Sequence, residues 1–392
     1  MFVSESQIIK LQIIEKVAMG KMAVWQAAEA MGKSQRTVYR QLASFKKKGF
    51  RFIQHGNQGR APHNKHPQDL KEEVRTLIRE KYFDFNITHL KEKLFEEENL
   101  QIAKETLRRW AHELGLVKNR HHRRKKARYY RQRAAQRGLM VQMDGSPHLW
   151  FGKSPSTLIS AIDDATSEVL YAEFFNSEDT INCMKVVRRI VERFGLFNML
   201  YVDHAGIYGG HKRQNFSQLK RACEELGIHV IFASSPQGKG RVERSFRTQQ
   251  DRLVAEMRLK GIQTFDEANT YLWKEFIPHI YNQKFAVPPA ESTDAFVPFP
   301  CPEELKEIFC LKEHRVIAKN HTIQWQGNTY AFHAPDGVCI ANHDIEIRTY
   351  PDRTWQALYR NRPIHLRRIH SAYTRYAKLL PDGIVKIARS PT

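Results

Sequence analysis

Between residues 139 and 259 the chain alternates repeatedly between strand-like and helix-like periods, and this alternation restricts its fold more than any other feature. Residues 139–144 form a short apolar run that closes on Asp144. Residues 157–164 make a second run, and the turn at 165–168 leads into a third at 169–175, which reads as a hairpin. Ser177 or Asp179 can cap a helix carrying Met184, Val187, Ile190 and Val191 at helical spacing. Residues 199–203 are again apolar and again close on a carboxylate, Asp203. A helix over 216–226 follows, ended by Gly227, and then a strand over 229–233. A glycine-rich loop from Ser235 enters a last helix over 241–259, with Glu243 in its first turn. Three strands, then helix, strand, helix, strand, helix, predict a meander followed by parallel crossovers. The product is a mixed five-stranded sheet covered by helices.

Ligands in such sheets gather at strand ends. Asp144 and Asp203 each close a strand, so neighbouring strands would bring both to one edge, within reach of Glu243. Any one of these residues alone reads more simply as a turn or cap residue. Three carboxylates at element ends are harder to explain that way, because they repel one another and raise each other's pKa unless a cation intervenes. Magnesium is a hard ion that prefers oxygen ligands and keeps waters that phosphate oxygens can replace. Two such ions about 4 Å apart suit phosphodiester chemistry, activating a water or a 3′-hydroxyl and stabilising the leaving oxygen.

The flanks point to nucleic acid. Lys and Arg number 63 against 42 Asp and Glu, a formal charge of +21, which attracts polyanions. Residues 1–50 read as helices: Ser4 caps a first one with Ile8, Ile9, Leu11, Ile13, Ile14 and Val17, and a short one runs from Val24 to Gly32. Ser34 caps a third, with Val38, Leu42 and Phe45 on one face. Gln35, Arg36 and Arg40 lie off that face, free to reach base edges as the second helix of a helix-turn-helix does. A plain three-helix bundle is the alternative. Residues 65–116 repeat the pattern more weakly, as a winged-helix-like unit with Arg108 and Arg109 on its last helix.

From Leu114 to Met143 there is no acidic residue, while Lys118, Arg120, Arg123, Arg124, Lys125, Lys126, Arg128, Arg131, Arg133 and Arg137 crowd the run. Like charges this dense suit a linker, 117–138, that orders along a phosphate backbone or stays a solvated tether. Beyond Pro298, short strands at 315–318, 322–325, 329–332, 339–341 and 346–348 suggest a small barrel within 300–370, followed by a basic tail at 371–392. The five cysteines form no CxxC pair, so free thiols in a reducing compartment are expected. With no signal-like start and no apolar stretch of about 18 residues, a cytoplasmic, nucleoid-associated bacterial protein with no membrane partner is expected.

The motifs around the three acids carry a resemblance. Asp-Gly-Ser-Pro-His at 144–148, Asp-Asp-Ala-Thr-Ser at 163–167, Tyr-Val-Asp-His at 201–204 and Ser-Pro-Gln-Gly-Lys-Gly-Arg-Val-Glu-Arg at 235–244 resemble the DDE transposase/retroviral integrase superfamily, specifically bacterial insertion-sequence transposases of the ISNCY type. The spacing, 59 residues from Asp144 to Asp203 and 40 more to Glu243, agrees. The resemblance implies a multidomain α+β chain: helix-turn-helix units at 1–50 and 65–116, an RNase H-like catalytic core at 139–295 and an SH3-like β-barrel at 300–370. It implies Asp144, Asp203 and Glu243 as ligands of two Mg2+ ions, with Mn2+ as a substitute. It also implies double-stranded DNA partners, both element ends and target, and at least a homodimer on DNA. Lys239, Arg241, Arg244 and Arg247 become phosphate contacts or, alternatively, partners of acidic neighbours. Asp163 or Asp164 reads as a turn organiser ahead of a fourth ligand. His148 and His204 read as structural hydrogen-bonding groups ahead of proton carriers. Two other readings stay open: a catalytically silent, transposase-derived DNA-binding regulator, and a structure-specific nuclease.

Overall fold

A computed structural model describes residues 5–53, 66–116, 131–152, 155–203, 213–233, 240–332 and 340–369, with the short strands Lys378–Leu379 and Val385–Lys386; the side chains of 203, 213–217, 378–379 and 385–386 lie outside this description. The chain divides into two compact units, Met1–Val74 and Arg75–Thr392.

In the first unit, α1 (Glu5–Ala18), α2 (Val24–Ala30) and α3 (Gln35–Lys48) close on Ile14, Val17, Ala27, Ala28, Val38 and Phe52. Ser34 caps α3 by accepting the Thr37 amide at 3.3 Å; Ser4 lies outside the described residues. Not every predicted apolar position is inward: Ile8 and Ile9 are exposed, because a helix with aliphatics at nearly every other position cannot turn them all to one side.

The second unit is organised by a sheet of order β3-β2-β1-β4-β5. Strands β1 (Met140–His148), β2 (Ser156–Asp163) and β3 (Val169–Phe175) are antiparallel neighbours, while β4 (Met199–Asp203) and β5 (His229–Ala233) add in parallel to β1. The mixed five-stranded sheet is the one its sequence pattern predicts. Odd residues of β1, Val141 and Met143, enter a core with α7 (Thr180–Phe194) and α8 (Arg213–Glu225). The opposite face packs Leu158, Ile162, Ala172 and Phe174 against α9 (Gly240–Leu259), α10 (Phe265–Tyr271) and a π-helical segment, Leu272–Tyr281. The sequence predicts one α-helix over 265–281. Pro278 inside it has no N–H to give, and the wider π turn accommodates it.

A strap fastens the sheet at the end where β1 and β4 begin. The Leu196 and Val297 amides exchange hydrogen bonds at 2.7 and 2.9 Å, and Ala295 N donates to Arg137 O at 2.8 Å. Two glycines with positive φ let it approach: a Cβ on Gly138 would lie 2.7 Å from the Phe296 ring, and one on Gly195 would lie 2.4 Å from Val297 O.

Helices α5 (Ile87–Glu98) and α6 (Lys104–Glu113), preceded by α4 (Gln68–Glu80), form the helical portion before the linker. Leu90, Leu94, Leu107 and Trp110 are buried, whereas Phe95 is exposed. Helix α5 lies on α9 through buried charges. His89 Nε2 donates to Glu256 Oε1 at 2.8 Å, Lys93 Nζ lies 3.0 Å from Glu256 Oε2, and Arg252 pairs with Glu92 at 2.6 Å. Glu256 is fully buried. Burial alone would raise its pKa, but the His89 bond and the Lys93 charge outweigh burial and hold it below the usual carboxylate range.

Beyond the core, two small sheets, β11-β10-β9-β6 and β12-β8-β7, share Ile317, Ile323, Trp325, Phe332, Ile345 and Ile347. Their strands are β6 (Leu311–Val316), β7 (Thr322–Trp325), β8 (Asn328–Phe332), β9 (Asp344–Thr349), β10 (Trp355–Tyr359), β11 (Arg362–Ile364) and β12 (Leu366–Ile369). The strand expected at 339–341 is absent where it can be seen: Ile340 and Ala341 are not in a strand, and Cys339 lies outside the described residues. Strands β10 to β12 lie beyond the strands the sequence predicts; in β11 and β12 arginines interrupt the apolar period. Arg221 on α8 donates to Cys310 O at 2.6 Å, binding these sheets to the core.

Candidate active site

Strands β1 and β4 run parallel with Met140, Val141 and Gln142 opposite Met199, Leu200 and Tyr201. Asp144 lies two residues beyond Gln142, and Asp203 lies two residues beyond Tyr201. The two acids therefore occupy equivalent places along adjacent strands, and the two-residue side-chain period puts Asp144 on the face of Gln142.

That face is the one α9 covers. Gln142 Oε1 accepts the Val242 amide at 3.3 Å, so the first turn of α9 rests on β1 just before Asp144. Gln250 Nε2 donates to Ser146 Oγ at 2.9 Å, just after it. Gln249 Nε2 reaches Ser160 Oγ at 3.4 Å, and Ser160 is the β2 partner of Asp144. Asp144 is thus bracketed along the strand by contacts to α9, whose first turn carries Glu243. Asp144 is half-buried and the Glu243 side chain is exposed. Among the described residues no three potential metal-ligating side chains form a cluster; the Asp203 side chain is not among them.

The residues beside these acids separate into two kinds. The Asp163 carboxylate is shared between its turn and the start of β1: it accepts from Thr166 N at 2.9 Å and Thr166 Oγ1 at 3.0 Å, and from Gly138 N at 2.8 Å. Burial pushes its pKa up in spite of them. Asp164 is also fully buried and is a junction. It accepts from Arg131, from Gln142 Nε2 at 2.5 Å, from Arg241 Nη1 at 2.6 Å and from Ala134 N at 2.8 Å. Arg241, a candidate phosphate contact, thus spends its charge on an internal carboxylate. Arg244 and Arg247 are exposed on α9; Lys239 and His204 lie outside the described residues. His148 packs edge-on against Trp150 at 5.2 Å.

The remaining candidate DNA contacts are spread over the chain. Gln35, Arg36 and Arg40 are exposed on α3. Arg108 and Arg109 are exposed on α6, with Arg108 3.7 Å from Glu105. Arg123, Arg124, Lys125 and Lys126 fall outside the described residues. The described end of the linker is not a free tether: Arg133 Nη1 donates to the carbonyls of Asp164 and Ala165, both at 3.1 Å, and the Arg131 guanidinium lies 5.4 Å over the Tyr201 ring. The sequence pattern offers Asp163 or Asp164 as the turn organiser and does not point to Gln142 at all; Asp163 takes the turn, and Asp164 joins Gln142 and Arg241. A polar Gln in an apolar strand was the available signal.

Comparison with known proteins agrees with the motifs. The chain is 34% identical over 331 residues, 82% of its length and 72% of the other's, to a Sinorhizobium fredii protein bearing the name transposase y4bF. The chain belongs to the insertion-sequence transposase family. A second relative of this transposase-family chain is the transposase for insertion sequence IS1202 of Streptococcus pneumoniae, 29% identical over 362 residues, covering 82% of this chain and 77% of that one. No family model matches. Among solved structures, a simian T-cell lymphotropic virus intasome in complex with PP2A regulatory subunit B56 gamma aligns with 76% of this chain and 100% of its own at 14% identity and a TM-score of 0.35. The HTLV-2 integrase catalytic core domain in complex with magnesium aligns with 37% of this chain and 90% of its own at 16% identity and a TM-score of 0.29. Among the described residues no helix is long and apolar enough to cross a membrane.

Proposed function

We propose that this chain is an active DNA transposase that binds the inverted-repeat ends of an insertion sequence of the ISNCY type, cleaves to free 3′-hydroxyls and joins them to target DNA. The observation that supports the reading is the β1–β4 register, in which Asp144 and Asp203 each follow the last paired residue of adjacent strands by two, with Glu243 in the first turn of the helix that rests on β1. Asp144, Asp203 and Glu243 would hold Mg2+, or Mn2+ in its place. An all-oxygen donor set at a partly open sheet edge suits a hard cation that must also meet phosphate. Bound there, the metal pair would supply activation of the attacking oxygen and charge stabilisation of the leaving one.

The other parts support the same reading. The units at 1–50 and 65–116 act as helix-turn-helix modules, with Gln35, Arg36, Arg40, Arg108 and Arg109 toward DNA. The linker at 117–138 follows the phosphate backbone, with Arg123, Arg124, Lys125 and Lys126 neutralising it. The core at 139–295 is RNase H-like, with Lys239, Arg244 and Arg247 flanking the acids on the phosphate side. The sheets at 300–370 form an SH3-like barrel, and the tail at 371–392 adds further positive charge. Joining two ends requires at least a dimer on DNA. A silent regulator would have no need of carboxylates that repel phosphate. The test is nicking and strand transfer on DNA carrying the flanking inverted repeats, with Mg2+ or Mn2+. Metal-dependent release of a 3′-hydroxyl that then joins target DNA is expected, and Asp203→Asn is expected to abolish it while end binding persists. Binding without cutting would favour the regulator.

A further inference from the structure

Three segments that are distant in sequence meet at Asp164. The end of the basic linker reaches it through Arg131 and the Ala134 amide. Strand β1 reaches it through Gln142, on the same strand face as Asp144 and two residues before it. Helix α9 reaches it through Arg241, two residues before Glu243. The connections also close on one another. Gln142 passes its carbonyl oxygen to the Val242 amide, one of the first-turn donors a helix cannot satisfy internally. Arg241 donates its other nitrogen to the Arg131 carbonyl. Two independent routes therefore run from one carboxylate to the turn that carries Glu243.

Simple hairpin chemistry does not require this arrangement. Asp163 already organises the turn with two hydrogen bonds from Thr166 and accepts a third from Gly138, so Asp164 is not needed there. A solvated linker would not bring guanidinium groups to a fully buried anion. Each arginine that neutralises Asp164 belongs to a segment expected to approach DNA, so the junction lies where linker and catalytic helix share a counter-charge.

We infer that Asp164 is a positioning residue for strand cleavage, clamping the end of the basic linker to β1 and to the first turn of α9 so that Asp144 and Glu243 are held in mutual register. It touches neither substrate nor metal; it acts through Gln142 and Arg241. The inference rests on the transposase reading. A displacement on the order of 1 Å at a reacting centre can cost about 100-fold in rate, so the clamp matters to chemistry well before it matters to folding.

The experiment compares wild type, Asp164→Asn, Arg241→Gln and the double variant on inverted-repeat DNA at saturating concentration. Single-turnover cleavage, Mg2+ dependence, end affinity and peptide-level hydrogen exchange are read for each. Asp164→Asn is expected to slow cleavage by about 10- to 100-fold and to raise the Mg2+ concentration for half-maximal rate severalfold, the loss a small misplacement produces. End affinity should stay within about twofold, because the contacts that read DNA are elsewhere. Exchange should accelerate at peptides containing Ala134 and Val242 while the rest of β1 and β2 keeps its protection. Arg241→Gln should move every readout the same way by less, and should add little to Asp164→Asn, as members of one network do. Cleavage and Mg2+ dependence unchanged in Asp164→Asn would overturn the inference, as would exchange accelerated across the whole sheet, which marks a merely structural role. If Asp164→Asn does not fold, Arg241→Gln decides alone, and wild-type rates with unchanged exchange at Val242 would overturn the inference. A wild-type chain that binds ends and never cuts them would overturn the proposed function itself, a result distinct from a cutting wild type with an indifferent Asp164→Asn.

Discussion

The two ends of α9 carry the same residue types in opposite states. At the start of the helix, Glu243, Arg244 and Arg247 are exposed. Farther along, Arg252 and Glu256 are buried, each tied to α5, and Arg258 pairs with Asp84 at 2.6 Å. Glutamate and arginine appear at both ends, so composition does not separate them. Context does: a charge taken out of water must be matched within the protein, whereas a charge left at a sheet edge stays available to an outside partner. One rod thus serves as a fastening at one end and as a working surface at the other.

The sharpest break of this comparison is Glu243→Gln. Cleavage is expected to fall about 1,000-fold or more, since several kcal/mol of transition-state stabilisation are lost at about 1.4 kcal/mol per factor of ten. Its melting temperature should match wild type, because the side chain is exposed; a marked drop would show that both ends are structural. Next comes Glu256→Ala, which takes the carboxylate partner from buried His89 and leaves Lys93 with Glu97 alone at 3.1 Å. Denaturant titration should show a loss of about 3–5 kcal/mol, while the protein that remains folded cuts near the normal rate. Arg252→Ala, read in the same titration, should lose somewhat less, about 2–4 kcal/mol. It removes the Glu92 pair and a guanidinium 5.0 Å over the Phe285 ring, but leaves Glu92 its Lys284 partner at 2.8 Å.

The smallest effect is the pH response of that joint. Burial would raise the Glu92 carboxyl, but Arg252 and Lys284 overcome burial and bring it down to about 2. A depressed folded pKa means stability that is present above the unfolded value and lost as protons return. Stability should therefore fall as pH drops from about 4.5 toward 2, by at most about 1.4 kcal/mol per unit from this group. Arg252→Ala should flatten that slope, and an unchanged acid slope in the variant would remove Glu92 from the account.

The sheet could be read in the sequence because strand and helix periods differ, and the order of elements leaves few topologies. The buried face of α7 was readable for the same reason: Met184, Val187, Ile190 and Val191 recur at helical spacing and are all buried. The joint between α5 and α9 was not readable. His89 and Glu256 are 167 residues apart, and nothing local distinguishes a glutamate that will be buried from one that will not. Asp164 was hidden for a related reason, beside a second aspartate that does what aspartates at turns ordinarily do. The π-helical segment escaped because Pro278 signals an interruption without saying which wider turn will absorb it. The pattern could nominate Asp144, Asp203 and Glu243, but their spatial relation depends on strand register, which only the folded chain supplies.

The strap over Gly138 and Gly195 has a consequence for error tolerance. A sheet strand that slips by one residue keeps its hydrogen bonds and turns every side chain to the other face. For most strands that exchanges core for solvent; for β1 or β4 it would carry one aspartate away from the other across the thickness of the sheet. By joining the chain just before β4 to the residues that precede β1, the strap forbids that slip at the far end from the acids. Insertions or deletions within 294–297 would then act at a distance, as a wrong key cut in an otherwise sound lock.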